Sequence, residues 1–325
     1  MRTNTIILAA ILLVAAAPSA TLADPFAYVT STDYYLFRKV SVLDAATDAI
    51  VAEIPTKEDN PEGIAITPNG TTAYVASNTA SMGDDAILVI DTAAREIVDR
   101  IPLGPRRWPK GMAITPAGAY VYVASDSVAV IDTSTNAVTD TIAVGGRARA
   151  VAISRDGTRA YVASPRDFPE AGILSVIDTK TRTVIGAIVI KHGPWDVAVT
   201  PDGSRVYLTD YYSVTVIDAK TAEVAATIPV SGGLITAIVI TPDGTRAYVA
   251  GYTGIVSVID TKTNTVVGTI SAVVHEPHAM AMTADGTRVY VGGYLGDIAV
   301  IDTASNTIVD RTGVSVTATA IAIGP

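Results

Sequence analysis

Both tryptophans and all three histidines of this 325-residue chain fall in short segments that also carry its arginine-rich stretches. They are Arg106-Arg107-Trp108-Pro109-Lys110, Arg147-Ala-Arg149, His192-Gly-Pro-Trp195-Asp196 and His275-Glu276-Pro-His278. Imidazoles with a carboxylate suit zinc or another divalent ion, which makes His192, His275 and His278 candidate metal ligands. The same side chains suit acid–base work, with His278 or His275 acting beside Glu276. Pro277 excludes a helical two-histidine face, so loops must bring these groups together. Indoles mixed with both signs of charge suit a small amphiphile, a glycan or a peptide. The arginine-rich stretch at Trp108 suits a carboxylate-bearing ligand or a solvated basic loop.

The elements that must position these residues repeat. Seven apolar runs each close on an aspartate: Asp44, Asp91, Asp132, Asp178, Asp218, Asp260 and Asp302, spaced 47, 41, 46, 40, 42 and 42 residues apart. That spacing fits four short strands plus turns, one propeller blade per repeat. In the repeat from Thr236 to Ile270, strands over 237–241, 246–250, 256–260 and 265–270 are rich in β-branched and aromatic residues. Pro242-Asp243-Gly244 joins the first two, with proline presetting φ and glycine accepting a positive φ.

Equivalent first turns occur at Thr67-Pro-Asn-Gly70, Thr115-Pro-Ala-Gly118, Ser154-Arg-Asp-Gly157, Thr200-Pro-Asp-Gly203 and Thr283-Ala-Asp-Gly286, six in all against seven aspartates. The termini resolve the mismatch. Residues 26–30 read as a second strand lacking a first, and residues 320–325 as a first strand lacking a successor. The fold expected is therefore an all-β, seven-bladed propeller of four-stranded antiparallel blades. Residues 26–54 and 318–325 share blade 1, and the C-terminal strand closes the ring.

Composition bounds the rest. Residues 1–23 read as a signal peptide, with Arg2, an apolar stretch from Ile6 to Ala17 and a small-residue cleavage site at Thr21-Leu22-Ala23. The expectation is an exported protein, in periplasm, cell wall or medium, with one propeller domain over 24–325. No cysteine occurs, which excludes a disulfide framework and a haem-attachment motif. The 49% apolar content reports strands covered on both faces, because no later apolar run is long enough to span a bilayer. A net charge of −9 disfavours nucleic acid and anionic lipid. No serine-hydrolase elbow or phosphate-cradling loop is present.

The second-strand motifs Tyr28-Val-Thr-Ser31, Tyr74-Val-Ala-Ser77, Tyr122-Val-Ala-Ser125, Tyr161-Val-Ala-Ser164, Tyr207-Leu-Thr-Asp210, Tyr248-Val-Ala-Gly251 and Tyr290-Val-Gly-Gly293, with the Pro-Asp-Gly turn and the Val-Ile-Asp-Thr run, resemble the YVTN family of β-propeller repeat proteins. None keeps the final asparagine. The resemblance covers nearly everything after residue 23 and implies the fold; such propellers serve as binding, cell-surface and cofactor-enzyme scaffolds alike. The His275–His278 segment is also similar to sites in streptogramin lyases and propeller lactonases. That likeness implies acid–base roles for His278, Glu276 and His275.

The repeated aspartates read as turn fasteners, and the repeated tyrosines as groups packed between blades with their hydroxyls satisfied. In an up-and-down blade the first-to-second and third-to-fourth turns share one end of the ring, and these are monotonous. The other end collects the irregular segments, including Tyr34, Tyr35, Phe37, Asp84, Asp85, Arg166-Asp167-Phe168, Tyr211-Tyr212, Tyr252 and Tyr294. Counting five residues back from each turn threonine or serine, or its equivalent, puts Glu62, Lys110, Arg149, Trp195, Thr236, His278 and Thr319 at equivalent points near the channel mouth. The expected ligand-binding set is Glu62, Trp108, Lys110, Arg147, Arg149, His192, Trp195, Asp196 and His278. The reading is a monomeric, cofactor-free scaffold that binds a small molecule, a glycan or a protein without catalysis; the alternative is a metal-assisted lyase or lactone hydrolase.

Overall fold

The computed structural model describes residues 25–32, 38–57, 59–79, 84–165, 171–271 and 273–324. The expected signal peptide lies outside them, as do Tyr34, Tyr35, Phe37, Arg166, Asp167 and Phe168. Every regular element among the described residues is a strand, and the strands form seven separate four-stranded antiparallel sheets. Blade 1 combines Thr317–Ile323 with Phe26–Thr32, Arg38–Asp44 and Ile50–Pro55. Blades 2 to 7 are contiguous, over 59–105, 112–142, 150–190, 197–229, 235–270 and 277–313. Closure is as expected: Thr317–Ile323 pairs with Phe26–Thr32 in a register that sets Ala320 opposite Thr30 and Ile323 opposite Ala27.

The apolar core is divided into seven clusters among the described residues, each shared by two neighbouring blades. Between blades 7 and 1, for example, Val29 and Leu43 meet Tyr290, Ile298 and Val300. A blade buries each face only against a neighbour, so an open ring would leave two apolar faces and two sheet edges in water. First strands line the channel, each touching the first strands on either side.

At the outer edge all seven blades share one irregularity. The register between third and fourth strands shifts at the valine of the Val-Ile-Asp run and at its equivalent Val42 in blade 1. The extra fourth-strand residue bulges outward, and this accounts for exposed Val51, Val98, Ile185, Val267 and Val309. A bulge raises the local twist and spoils the flat edge that another chain would need for pairing.

The regular end is tied together by its repeated residues. Asp260 Oδ1 accepts the N–H of Thr263 at 2.8 Å and Asp44 Oδ1 those of Ala46 and Thr47 at 2.8 and 3.0 Å, with equivalent bonds in the other blades. Each turn then passes through a left-handed residue, Asp48, Arg95, Asn136, Arg182, Ala222, Asn264 or Asn306. In four cases the second-strand tyrosine of the preceding blade reaches that residue, Tyr74 donating to Asn136 Oδ1 at 2.9 Å. Tyr207 donates to Asn264 Oδ1 at 2.9 Å, Tyr248 to Asn306 at 2.6 Å and Tyr290 to Asp48 at 2.5 Å. In five blades the threonine after the aspartate closes the loop onto the first turn, as in Thr303 Oγ1 to Gly286 O at 2.7 Å.

Candidate functional site

At the irregular end the channel opens into a cavity of about 970 Å³. All seven blades contribute to its wall, each through the start of its first strand: Thr319, Glu62, Lys110, Arg149, Trp195, Thr236 and His278 in ring order. Because these positions are equivalent, the backbone presents six residue types at seven places in one repeated geometry, threonine alone occurring twice. The close approach of first strands is enforced by Gly63 and Gly111, where an added Cβ would lie 1.9 Å from Lys110 O and 2.8 Å from Ala150 Cα.

One side of the wall is a polar network. Lys110 Nζ donates to Glu62 Oε1 at 2.6 Å, and Asn78 Nδ2 donates to the same oxygen at 3.2 Å. Asn60 Nδ2 donates to Asn78 Oδ1 at 3.0 Å. Across blades 1 and 2, Thr319 Oγ1 donates to Pro61 O at 2.8 Å and Thr30 Oγ1 to Glu62 O at 2.6 Å. Glu62 is thus held from both flanks.

The opposite side is built around a cation on an aromatic face. The Arg149 guanidinium lies over the Trp195 indole, 3.6 Å from the ring centroid, and Tyr211 meets that indole edge-on at 6.0 Å. Burial pushes the Arg149 pKa down to about 10, with Glu62 and Asp196 opposing the shift from a distance. Asp196 is held in the wall between blades 5 and 6. Its Oδ2 accepts the Ile238 N–H at 3.0 Å and its Oδ1 the Val197 N–H at 2.8 Å. Burial pushes its carboxyl up to about 6, the two N–H donors and Arg149 pulling the other way. His278 stands between Tyr252 and Tyr294, each ring centroid 6.3 Å away. Desolvation lowers its pKa below the usual histidine value, more than Glu276 raises it.

Of the nine residues expected to bind ligand, Glu62, Trp108, Lys110, Arg149, Trp195, Asp196 and His278 line the cavity. Arg147 and His192 lie outside its lining. Arg147 extends over the Trp108 ring at 5.7 Å, and His192 Nδ1 stands 3.4 Å from the buried Asp210 carboxylate. Trp108 is itself set by Asp85, whose Oδ2 accepts the N–H groups of Arg107 and Trp108 at 2.7 and 2.8 Å. His275 and Glu276 also fall outside the lining; their carbonyls accept the Tyr294 N–H at 2.9 and 3.1 Å, and the Glu276 carboxylate sits against Tyr252, raising the phenol pKa. Among the described residues no three His, Asp or Glu side chains are gathered so as to hold a metal ion.

Several wall residues escaped the five-residue count. Thr32, Asn78 and Tyr294 each follow directly after the four-residue tyrosine motif. Counting one place past that motif in every blade yields Thr32, Asn78, Asp126, Pro165, Tyr211, Tyr252 and Tyr294, a second ring that includes three aromatic neighbours of Trp195 and His278. Arg38, at the start of a third strand, had no repeat signal.

Fold and cavity together define a seven-bladed β-propeller with a variable pocket at one mouth of its channel. By comparison with solved structures the chain is similar to a chain of Kuenenia stuttgartiensis hydrazine synthase, with a TM-score of 0.70, 22% identity, and coverage of 80% of this chain and 88% of that one. At that identity the likeness concerns the fold. No protein-family model and no curated protein matches the sequence.

Proposed function

We propose that this chain is a ligand-binding propeller of the YVTN repeat type, which takes a small molecule in the cavity at the irregular mouth and does no chemistry on it. One observation carries the reading. Seven positions made equivalent by the repeat bear six residue types, and all seven line one cavity of about 970 Å³, a size suited to a small ligand. The turn aspartate and the second-strand tyrosine keep their residue type in all seven blades, so variation at this ring fits selection for shape and charge rather than for fold. The repeat-type assignment is supported by the seven equivalent second-strand tyrosines, all buried within the blades.

The test is a thermal-shift screen of carboxylates, phosphates, glycans and peptides on the parent and on Thr236→Trp, whose indole would fill the cavity. A specific ligand raises the melting temperature by mass action. A shift present in the parent and lost in the variant supports the reading; a shift of equal size in both would place binding elsewhere and reject it.

A further inference from the structure

The charges of the cavity are lopsided. Arg38, Lys110 and Arg149 face Glu62 and Asp196, in a chain whose net charge is −9. Lys110 and Glu62 neutralise one another at 2.6 Å. Arg149 has no such contact: among the described residues its guanidinium makes neither a hydrogen bond nor an ion pair, and its one close partner is the Trp195 ring. A desolvated cation stacked on an aromatic face keeps its N–H edge free, because stacking uses the plane and leaves the fork in that plane. That fork matches two oxygens of a carboxylate, sulfonate or phosphate.

At the regular end, by contrast, partly buried arginines are used up. Arg288 meets Asp48 Oδ2 at 3.1 Å and the Ala45 carbonyl at 3.0 Å, and Arg205 meets the Thr261 carbonyl at 2.6 Å. Burial of a charge is costly unless it is paired, and at Arg149 the protein leaves the pair unmade. The same cavity also has an apolar lining, with Ala150, Ala237, Ala279, Met280 and Ile321.

Resting on the proposed binding role of this cavity, we infer that its ligand is an oxyanion-bearing molecule with an apolar body, the oxyanion seated on the in-plane edge of Arg149 while Trp195 holds the guanidinium from behind. The apolar body lies along the alanine and methionine wall.

Three probes with one body separate the possibilities: 1-naphthoate, 1-naphthyl phosphate and the neutral 1-naphthalenemethanol, titrated calorimetrically into the parent, Arg149→Gln, Arg149→Lys and Thr236→Trp. At least one anion should bind the parent about tenfold or more tightly than the alcohol, and lose about that factor in Arg149→Gln, as expected for a bidentate charge-assisted contact. Arg149→Lys, which keeps the charge without the fork, should recover only part of the loss. The anion that wins tells carboxylate from phosphate. Equal affinities for anions and alcohol, or anion affinities unchanged by Arg149→Gln, would overturn the inference while leaving the cavity reading intact, provided Thr236→Trp still blocks binding. Anion binding untouched by Thr236→Trp would overturn both. Circular dichroism of each variant shows whether the fold is retained.

Discussion

The two ends of this ring are made by the same repeat and treated in opposite ways. At the regular end polar groups are satisfied locally: turn aspartates accept backbone N–H bonds, and Asp132, Asp156, Asp178, Asp202, Asp218, Asp243, Asp260, Asp285 and Asp302 all have pKa values held below the usual carboxylate range by hydrogen bonds. At the irregular end the shifts run against charge. Asp196 is raised, Arg149 and His278 are lowered, and each time burial is the leading cause. The regular end spends its polar groups on the fold, with Asp48 alone among its aspartates raised by burial, whereas at the irregular end the Arg149 guanidinium makes no hydrogen bond among the described residues. A binding surface needs the second arrangement, since a group already satisfied internally gains little from a ligand.

The regular end also shows how neighbouring blades trade roles. Where the second strand carries Arg205, Arg246 or Arg288, the next blade supplies a carbonyl acceptor with Asn264, Asn306 or Asp48 at its left-handed turn position. Where the second strand instead carries Phe26 or Tyr120, the next blade's turn supplies the cation: Arg95 lies 5.2 Å from the Phe26 ring and Arg182 4.3 Å from that of Tyr120. The cation changes sides while the contact persists. No such conserved contact links the seven wall positions of the cavity.

The largest expected effect falls on what both ends share. Deleting the closing strand from Thr317 onward strips blade 1 of its inner strand and uncovers the clusters it shares with blades 7 and 2. Thermal unfolding followed by circular dichroism should then lose its cooperative transition; a truncated protein melting where the parent does would show that closure is dispensable. Next in size is the regular end. Tyr290→Phe removes the hydroxyl donated to buried Asp48 at 2.5 Å, and should cost about 1–3 kcal/mol in denaturant unfolding. Tyr161→Phe is the control, because the next blade has Ala222 at the matching turn and the Tyr161 hydroxyl makes no hydrogen bond among the described residues. A cost within about 0.5 kcal/mol is expected there, and equal costs at both positions would show that the inter-blade tyrosine bond does nothing for stability.

The same measurements at the cavity should come out the other way. Arg149→Met replaces a desolvated cation with an unbranched apolar chain able to keep contact with Trp195, so stability should hold or rise by about 1 kcal/mol. A loss as large as that of Tyr290→Phe would mean that Arg149 belongs to the fold.

Most of this contrast is legible in the chain. Seven aspartates at near-constant spacing give the blade number, and the unmatched strands at the two termini give the closure, because period and pattern are local properties. The wall ring follows from counting back from a turn, since first strands of equal length start at equal heights. Side-chain direction outside the strands is another matter. Arg147 goes to Trp108, and His192 to Asp210, for reasons that lie in loop conformation: Arg106, Trp108 and Glu276 all sit at positive φ, between 46° and 57°, imposed by contacts such as those of Asp85 with the Arg107 and Trp108 N–H groups. None of these residues has the intrinsic preference of glycine or asparagine for that region, so the sequence carries no warning of it.

The effect that separates the ends most cleanly is in pH dependence. Asp196 has a folded value of about 6 against 3.8 for an ordinary aspartate, so between those values the native state holds a proton that the unfolded chain has released. Its contribution to stability is therefore fully present below 3.8 and lost as pH rises through about 6. The turn aspartates have the opposite sign. Their lowered values contribute stability present above 3.8 and lost as pH falls through the folded value, as for Asp243. His278, lowered from 6.5, adds stability above that pH and loses it below. Subtracting the stability curve of Asp196→Asn from that of the parent cancels the His278 and turn contributions and leaves a step that falls between pH 3.8 and about 6. The corresponding difference for Asp243→Asn should instead rise with pH and be confined to the acid side of 3.8. Two difference curves of the same sign would erase the distinction between the ends, because they would mean that the channel-mouth carboxylate is stabilised in its charged form just as the turn carboxylates are.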